Sequence, residues 1–230
     1  MFDYQLIRSS RRKTLAIKVS PEGVEVRAPS WTSTAEINRF VAHRQQWVDK
    51  HLQRFARLPS RASFEKQYIE GALFQYLGQD YSLHIQQGPR HSVELRESQL
   101  QVTLNQRQCI TEPEPVIQRL LQQWYRDQAL AWLTPLSHQL AARVNRPVSN
   151  VKVRRTRSKW GHCTSRGELQ YNWLIMAAPA EVIHYLVAHE VSHLVHHNHS
   201  AAFWQQVAQL CPDWKQQRDW LKAHGYQLQV

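Results

Sequence analysis

Five of the eleven residues in the stretch HEVSHLVHHNH, residues 189–199, are histidine. His189 and His193 are four positions apart, so on a helix they lie on one face, about 40° from each other. Two imidazole rings on that face can bind the same metal ion. Glu190 is rotated by about 100° from His189, so its carboxylate can reach over the ion without becoming a ligand. This H-E-x-x-H spacing predicts a hydrolytic metal site in which Glu190 acts on metal-bound water.

A third ligand must complete such a site, because catalytic zinc has three protein ligands and one position open to water. His199 is the expected third ligand, in the pattern H-E-x-x-H-x₅-H, if the helix ends near His197 or Asn198 and the chain turns back. His196 and His197 compete for this role, but on a continued helix they lie on its surface or behind the ligands. The sequence predicts Zn²⁺ as cofactor, Glu190 as general base, and a ligand set of His189, His193 and His199.

The element that must carry the motif is a helix in the stretch APAEVIHYLVAHEVSHLVHHN, residues 178–198. Pro179 suits the first turn of a helix, and Asn198 is expected to stop it in the left-handed conformation. Apolar residues at helical spacing line one side: Ile183, Leu186, Val187 and Leu194. This is the strongest helix signal in the chain, and it is the context that the metal motif requires.

Other elements of the second half should support that helix. Residues 114–145 follow the helical period, and Pro135 is expected to kink or split this helix because it removes one backbone donor. Residues 151–176 are expected to form strands around a glycine-containing turn. Ser200 is expected to cap a further helix that buries Phe203, and a final helix should close at Gly225.

The first half is predicted to be rich in β-structure. TLAIKVS and GVEVRAP alternate apolar and polar residues around a PEG turn, and residues 72–87 and 92–105 each predict a hairpin. One helix, capped by Ser33 or Thr34, is expected over residues 30–55, followed by an RLPSRAS loop. The predicted fold class is therefore α+β, with a β-rich region containing one helix over residues 1–110.

The second half also resembles a known family. The matching segments are KWGHC, YNW, APAEVIHYLVAHEVSHL, NHSAAFW and WLKAHG, and weaker matches in the first half are RRKTLAIKV, VEVRAP, FVAHRQQWV and YLGQDYSL. These segments resemble the YgjP-like metallopeptidases, an M48-like family of metal-dependent hydrolases. His162 stands where that family usually has a small residue between the glycine and the cysteine of its W-G-x-C segment.

The resemblance implies a zincin-like metallopeptidase core that contains the HExxH helix. It places this catalytic region over residues 111–230, after the β-rich N-terminal region, with both parts belonging to one continuous family domain. It also implies Glu190 as the catalytic base and, as zinc ligands, His189, His193 and His199. A peptide or protein substrate follows from the same resemblance.

The charge of the chain leaves the nature of further partners open. The formal net charge is +11, which fits an anionic partner or an ordinary basic surface equally well. A basic stretch surrounds Trp160: Arg154, Arg155, Arg157, Lys159 and Arg166. This stretch could bind phosphate and stack a base, or it could be a solvated edge strand with Trp160 in the core, or a strand that pairs with an extended peptide.

Two further function classes stay open beside a zinc-dependent metallopeptidase. One is a metal-dependent nucleotide pyrophosphatase, and the other is a nucleic-acid-associated protease of the SprT or WLM type, to which the family is similar only at the level of fold. The chain starts without an apolar leader and has no apolar run long enough for a membrane, and its three cysteines form no CxxC. A cytoplasmic protein without a membrane partner is therefore expected.

Several polar residues near the motif have simpler interpretations. Cys163 is expected to be a buried thiol and not a nucleophile, because no Cys/His/Asn signature accompanies it. His162 is expected to be a surface histidine, with stabilisation of an oxyanion as its alternative. His184 is expected to be structural, and Asn172 and Tyr185 are polar groups without an assigned role.

Overall fold

The computed structural model describes residues 2–20, 23–56, 66–156 and 158–230. The chain divides into two compact units, Met1–Glu65 and Lys66–Val230. Pro21 and Glu22 of the expected PEG turn, the RLPSRAS loop and Arg157 lie outside the described residues. The mixed composition of helices and sheets agrees with the predicted α+β class.

The N-terminal unit contains a three-stranded sheet formed by β1 (Gln5–Ser9), β2 (Ala16–Ser20) and β3 (Gly23–Pro29). β3 lies in the middle, parallel to β1 and antiparallel to β2. Alternate residues of β3 are buried, as expected for a strand with one face on a core. Four residues form the centre of this small core: Val26, Ala28, Ile37 and Val41.

Two helices follow β3 where one was expected: α1 (Thr34–His43) and α2 (Gln45–Ala56). Ser33 is the cap of α1, because its hydroxyl oxygen accepts the Glu36 N–H at 3.2 Å. The single-helix prediction was wrong at Arg44. The Arg44 N–H donates to the Val41 carbonyl three residues back, at 3.1 Å, so the turn tightens and the helix is interrupted there.

The C-terminal unit begins with a four-stranded sheet of β4 (Leu73–Tyr76), β5 (Gln79–Gly88), β6 (Ser92–Arg96) and β7 (Gln99–Asn105). β4–β5 and β6–β7 are the two predicted hairpins, and a parallel pairing between β5 and β7 joins them. The buried apolar residues of this four-stranded sheet belong to the same core as those of helix α3 (Pro113–Arg143). The division between the compact units therefore lies before this sheet and not at residue 110, and the expected boundary of the catalytic region stays a prediction.

Pro135 does not split α3, which runs without interruption through 31 residues. The proline has no N–H to donate to the Ala131 carbonyl, and this costs one helical hydrogen bond. Burial on both sides of the proline holds the helix together, since Leu133 and Ser137 are fully buried. The Ser137 hydroxyl also forms a hydrogen bond of 2.9 Å with the Tyr171 hydroxyl.

A second three-stranded sheet comprises β8 (Asn150–Arg154), β9 (Gly161–Cys163) and β10 (Glu168–Asn172). β10 is the middle strand, parallel to β8 and antiparallel to β9. A 3₁₀ turn, Trp173–Ala177, leads from β10 to helix α4 (Ala180–Ser192). Helices α5 (Ala201–Leu210) and α6 (Trp214–His224) then complete the unit. As predicted, Ser200 is the N-cap of α5 and Gly225 is the C-cap of α6.

The start of α4 is held by the turn between β4 and β5. Leu77 donates its N–H to the Met176 carbonyl at 2.8 Å. Gly78 has a φ of 77°, and a Cβ there would lie 2.9 Å from the Cα of Pro179, so only glycine fits. The turn therefore fixes the residue that begins α4. Within the described residues, no helix is long and apolar enough to cross a membrane.

Candidate active site

Helix α4, which carries the HExxH motif, is buried on nearly every side. Nine of its 13 residues are buried, including Glu190 and Ser192. Its N-terminus has no side-chain cap, so tertiary packing rather than a local signal stabilises it. The surrounding elements therefore hold the backbone at the motif in one position.

The helix ends earlier than the sequence predicted, at Ser192 and not near His197 or Asn198. The Ser192 hydroxyl donates to the Ala188 carbonyl at 2.7 Å. From His193 to Val195 the N–H groups reach back only three residues, as when His193 donates to the Glu190 carbonyl at 3.2 Å. This tighter turn starts the return of the chain toward α4 sooner than a stop at Asn198 would.

The return brings together three of the five histidines. One ring nitrogen from each of His189, His193 and His199 lies within 4.8 Å of the other two. The Nε2 atoms of His189 and His199 are 3.1 Å apart. His196 and His197 are outside this cluster, as expected, but they lie in the turn and not on a continued helix. The structure thus groups the same three residues that the spacing singled out.

The ring nitrogens of His189 and His199 are spaced as two ligands of one tetrahedral metal ion would be. Zn–N distances of about 2.0–2.1 Å place two tetrahedral ligand nitrogens roughly 3.4 Å apart, close to the separation of the His189 and His199 nitrogens. His193 is oriented for this role because its Nδ1 donates to the His196 carbonyl at 3.0 Å, which leaves Nε2 free. The Nδ1 atom of His189 is buried without a hydrogen-bond partner among the described residues.

The surroundings of His189 and His193 favour their neutral imidazole form. Burial, followed by the charges of His193 and His199, lowers the pKa of His189 to about 3. Burial is also the main cause of the lowered pKa of His193. Neutral imidazole is the form that binds a metal, so His189 and His193 can act as ligands without first having to lose protons.

Phe203 forms the floor of the cluster, a role that the sequence interpretation missed. It is fully buried on α5, and its ring centroid lies 4.5 to 5.0 Å from those of all three histidines. Its position one helical turn after His199 was the available signal, but the pattern alone indicated only a core residue.

Trp204 packs against the third histidine from the side. Its ring is stacked on His199 at 5.8 Å, and Trp214 is stacked on Trp204 at 4.3 Å. Arg218 lies over both indoles, at 5.9 and 5.0 Å from their centroids. These contacts hold the turn that carries His199 and extend its packing to α6.

Glu190 lies beside the histidines in a closely fitted space. Its side chain is only 5% exposed, and burial raises its pKa to about 8, while the charge of Lys159 acts in the opposite direction. A Cβ on Gly161 would collide with the Glu190 carboxylate oxygen. The missing side chain at Gly161 is therefore what makes room for the carboxylate. A glycine inside a strand-like run is a signal of such a close approach, although the sequence interpretation gave Gly161 no role.

Asn172 organises the loop that precedes Gly161. Its side-chain amide donates to the Thr156 carbonyl at 3.1 Å, and its side-chain oxygen accepts the Leu174 N–H at 3.2 Å. Its backbone N–H donates to the Trp160 carbonyl at 2.7 Å. Asn172 thus connects the end of β10 to both ends of the Thr156–Trp160 loop.

The remaining candidates contribute less to the cluster. Trp160 is half-buried and packs on Gly225, where a Cβ would meet its ring at 3.1 Å, so the core interpretation fits better than base stacking. Burial, and secondarily the charge of Glu190, raises the pKa of Cys163 to about 11, which makes a nucleophilic thiolate unfavourable. His162 is exposed, and His184 is outside the histidine cluster.

The sequence profile of the YgjP-like family, described as a metallopeptidase domain, matches residues 13–224. The chain belongs to the YgjP-like family. Among solved structures, the crystal structure of the metallopeptidase zymogen of Pyrococcus abyssi abylysin is similar at 18% identity. That match covers 40% of this chain and 92% of the other, and its TM-score of 0.37 is too low to support an argument. A search of curated proteins gives no match.

Membership of the YgjP-like family makes this chain a metallopeptidase-domain protein and supports a hydrolase. It also implies a bound metal, and the three clustered histidines are the group among the described residues that meets this requirement. The family match runs through both compact units, and the expected single family domain stays a prediction.

Proposed function

We propose that this YgjP-like protein is a zinc-dependent metallopeptidase with a zincin-like core. His189, His193 and His199 hold the zinc ion, and Glu190 is the general base. One observation carries the proposal, namely that three imidazole nitrogens lie within 4.8 Å of one another and that the residue next to His189 is a buried glutamate. The family match supports the peptidase class independently of this geometry.

The donor set explains the choice of zinc. Three imidazole ligands suit zinc better than calcium or magnesium, which prefer oxygen ligands, and three protein ligands leave one position open. Bound there, zinc would supply a Lewis acid that lowers the pKa of water and polarises a scissile carbonyl.

Glu190 handles the proton in this scheme. Its carboxylate takes a proton from the attacking water and later gives it to the leaving amine. A raised pKa of about 8 suits both transfers near neutral pH, because the group then holds and releases a proton at little cost. Gly161 contributes by leaving the space in which the carboxylate sits.

The exposed edge of β9 supports a peptide substrate. β9 is at the end of its sheet and pairs with β10 on one side only, so within the described residues its other side carries no strand. An extended peptide can add to such an edge through main-chain hydrogen bonds. A groove alongside it would receive side chains of the substrate, and it is lined by Lys159, Gly161, His162, Gln170 and Asn172. A substrate on this edge would lie next to Glu190, because Gly161 belongs to β9.

The proposal is tested by measuring zinc content and casein hydrolysis for the full chain, for two test variants and for one control variant. Glu190→Gln should bind zinc at the native ratio but lose hydrolysis by about a hundredfold or more, since the base is gone. His199→Ala should lose both zinc and hydrolysis. His197→Ala is the matched control from the same stretch, and it should change neither.

Full hydrolysis by Glu190→Gln, or native zinc content in the His199 variant, would refute the assignment. The same proteins should be assayed with nucleoside triphosphates and with DNA-bound protein, because a nucleotide pyrophosphatase and a nucleic-acid-associated protease stay as alternative predictions. Hydrolysis of nucleotides alone would replace the peptidase proposal. Arg157, which partly motivated the nucleotide alternative, lies outside the described residues.

A further inference from the structure

We propose that the N-terminal unit binds single-stranded nucleic acid at the end of its sheet where β1 and β3 have their C-termini. The surface, called here the Trp31 patch, consists of Arg8, Arg11, Arg12, Lys13 and Trp31. It lies entirely within the unit Met1–Glu65 and does not depend on the metal site.

Trp31 is a strongly exposed aromatic residue in the loop after β3. Its side chain is 66% exposed, the largest value among the big apolar side chains that the structure describes. Arg8 holds the loop on both sides of the indole, because its Nη1 donates to the Ser30 carbonyl at 3.1 Å and to the Thr32 carbonyl at 2.7 Å. The indole is thus presented to solvent from a backbone that is fixed by hydrogen bonds.

The topology of the sheet brings cationic residues to the same place. β1 and β3 are parallel, so the turn after β1 and the loop after β3 leave the sheet at the same end, where both strands have their C-termini. The Ser9 carbonyl accepts both the Arg12 N–H, at 3.4 Å, and the Ser30 N–H, at 3.2 Å. The turn that contains Arg11, Arg12 and Lys13 therefore lies beside the loop that presents Trp31.

Helix α1 adds to the positive potential at this end of the sheet. It begins directly after the loop, with Ser33 as its cap, so its N-terminal partial charge faces the same region. Glu36 is the acidic residue in its first turn. Over residues 1–65 the chain has 12 Lys and Arg against 6 Asp and Glu, so this unit carries +6 of the net +11.

An exposed indole beside several cations matches the chemistry of a single strand. The phosphates of the strand attract the guanidinium and ammonium groups, and an unpaired base stacks on the flat ring. A membrane surface fits less well, because interfacial binding needs a broad apolar face and the patch offers one indole. An acidic peptide would satisfy the cations but leave the indole without a stacking partner.

The role of Trp31 is tested by fluorescence anisotropy of a labelled thymidine oligonucleotide titrated with the full chain at low salt. Trp31→Ala should raise the dissociation constant by about tenfold, the usual effect of losing one stacked base, and Trp31→Phe should restore most of the affinity. Trp47→Ala is the matched control, since Trp47 is an exposed tryptophan on α2 of the same unit. It should leave the affinity unchanged.

The role of the cations is tested by the salt dependence of the same titration. Arg11→Gln with Lys13→Gln should make the slope of log K against log salt shallower by about 1.4, because each lost phosphate contact is worth roughly 0.7 on single strands. Arg90→Gln with Arg107→Gln removes the same charge from the other unit. That control should keep the native slope, and circular dichroism should show that all variants are folded.

Three results would overturn the proposal. The first is no binding of the oligonucleotide by the native chain at low salt. The second is an equal loss of affinity in the test and control variants. The third is tighter binding, through Trp31, to vesicles of phosphatidylserine and phosphatidylcholine or to polyglutamate, which would assign the patch to a different partner.

Discussion

The two three-stranded sheets have the same arrangement but lead to very different helices. In each one the third strand lies in the middle, parallel to the first and antiparallel to the second. β3 leads to α1, in which only Ile37 and Val41 are buried. β10 leads through a 3₁₀ turn to α4, in which nine residues are buried, Glu190 among them.

The difference shows that the strand arrangement does not create the candidate site. Both sheets position a following helix, but only α4 is covered by α3, α5 and α6 and by β9. That cover removes water from Glu190 and from His189, which is why their pKa values move away from the ordinary range. The chemistry follows from the side chains and their burial and not from the topology.

The first prediction uses the residue that begins the second strand of each sheet. Gly161 begins β9 and leaves room for Glu190, whereas Ala16 begins β2 in the N-terminal unit. Gly161→Ala should lower peptide hydrolysis by about a hundredfold, because the new methyl group displaces the carboxylate. Zinc content, measured on the same sample, should stay native.

Ala16→Gly is the matched control for this prediction. It should leave hydrolysis unchanged and cost only about 0.5–1 kcal/mol of unfolding free energy, from the greater freedom of glycine in a strand. If both variants hydrolyse casein at the native rate, the fit between Gly161 and Glu190 has no catalytic importance.

The second prediction concerns Trp204 of α5, whose indole packs on His189 of α4 and on His199. Trp204→Ala should weaken zinc binding by about 10- to 100-fold, because His199 loses the ring that holds its imidazole in place. Trp204→Phe should recover part of the affinity. Competition with a chromophoric chelator measures the dissociation constant without relying on enzyme activity.

Trp220→Ala is the matched control, because it removes another tryptophan that is stacked on a histidine. Trp220 is also stacked on a histidine, His224, at 4.7 Å, but that histidine is not in the cluster. Zinc affinity should stay native in this variant. A similar loss in both tryptophan variants would indicate general destabilisation and not positioning of His199.

The third prediction addresses the strand ends. β10 ends in Asn172, whose side chain forms two hydrogen bonds, whereas β3 ends in Pro29, which has no such group. Asn172→Ala should lower the free energy of unfolding by about 1–3 kcal/mol, since the Leu174 N–H and the Thr156 carbonyl lose their partner. Urea denaturation measures this loss. Asn172→Asp should lose less, because it can still accept from Leu174.

The smallest expected effect is at the cap of α1. Ser33→Ala should cost about 1 kcal/mol, because the Glu36 N–H loses its acceptor. Ser33→Asp should retain the native stability, and the comparison is best made by urea denaturation at a single pH. A loss well above 2 kcal/mol would mean that α1 depends on its cap far more than an ordinary surface helix does.

Local patterns predicted most elements correctly where each had its own signal. The alternation in β3, the two hairpins from β4 to β7, and the caps at Ser33 and Ser200 depend on neighbouring residues, so one sequence is sufficient to find them. Two expectations of helix continuity failed. Arg44 interrupts a helix that the pattern continues, and α3 is not split at Pro135.

The sequence by itself determined the composition of the candidate site. The spacing of His189, Glu190 and His193 selects one helix face, and His199 follows at a distance that a turn can close, so the four residues were predicted before any coordinates. Only the tertiary structure decided the rest. The early end of α4, Phe203 beneath all three rings and the space at Gly161 depend on elements far apart in the chain, and no local pattern encodes such contacts.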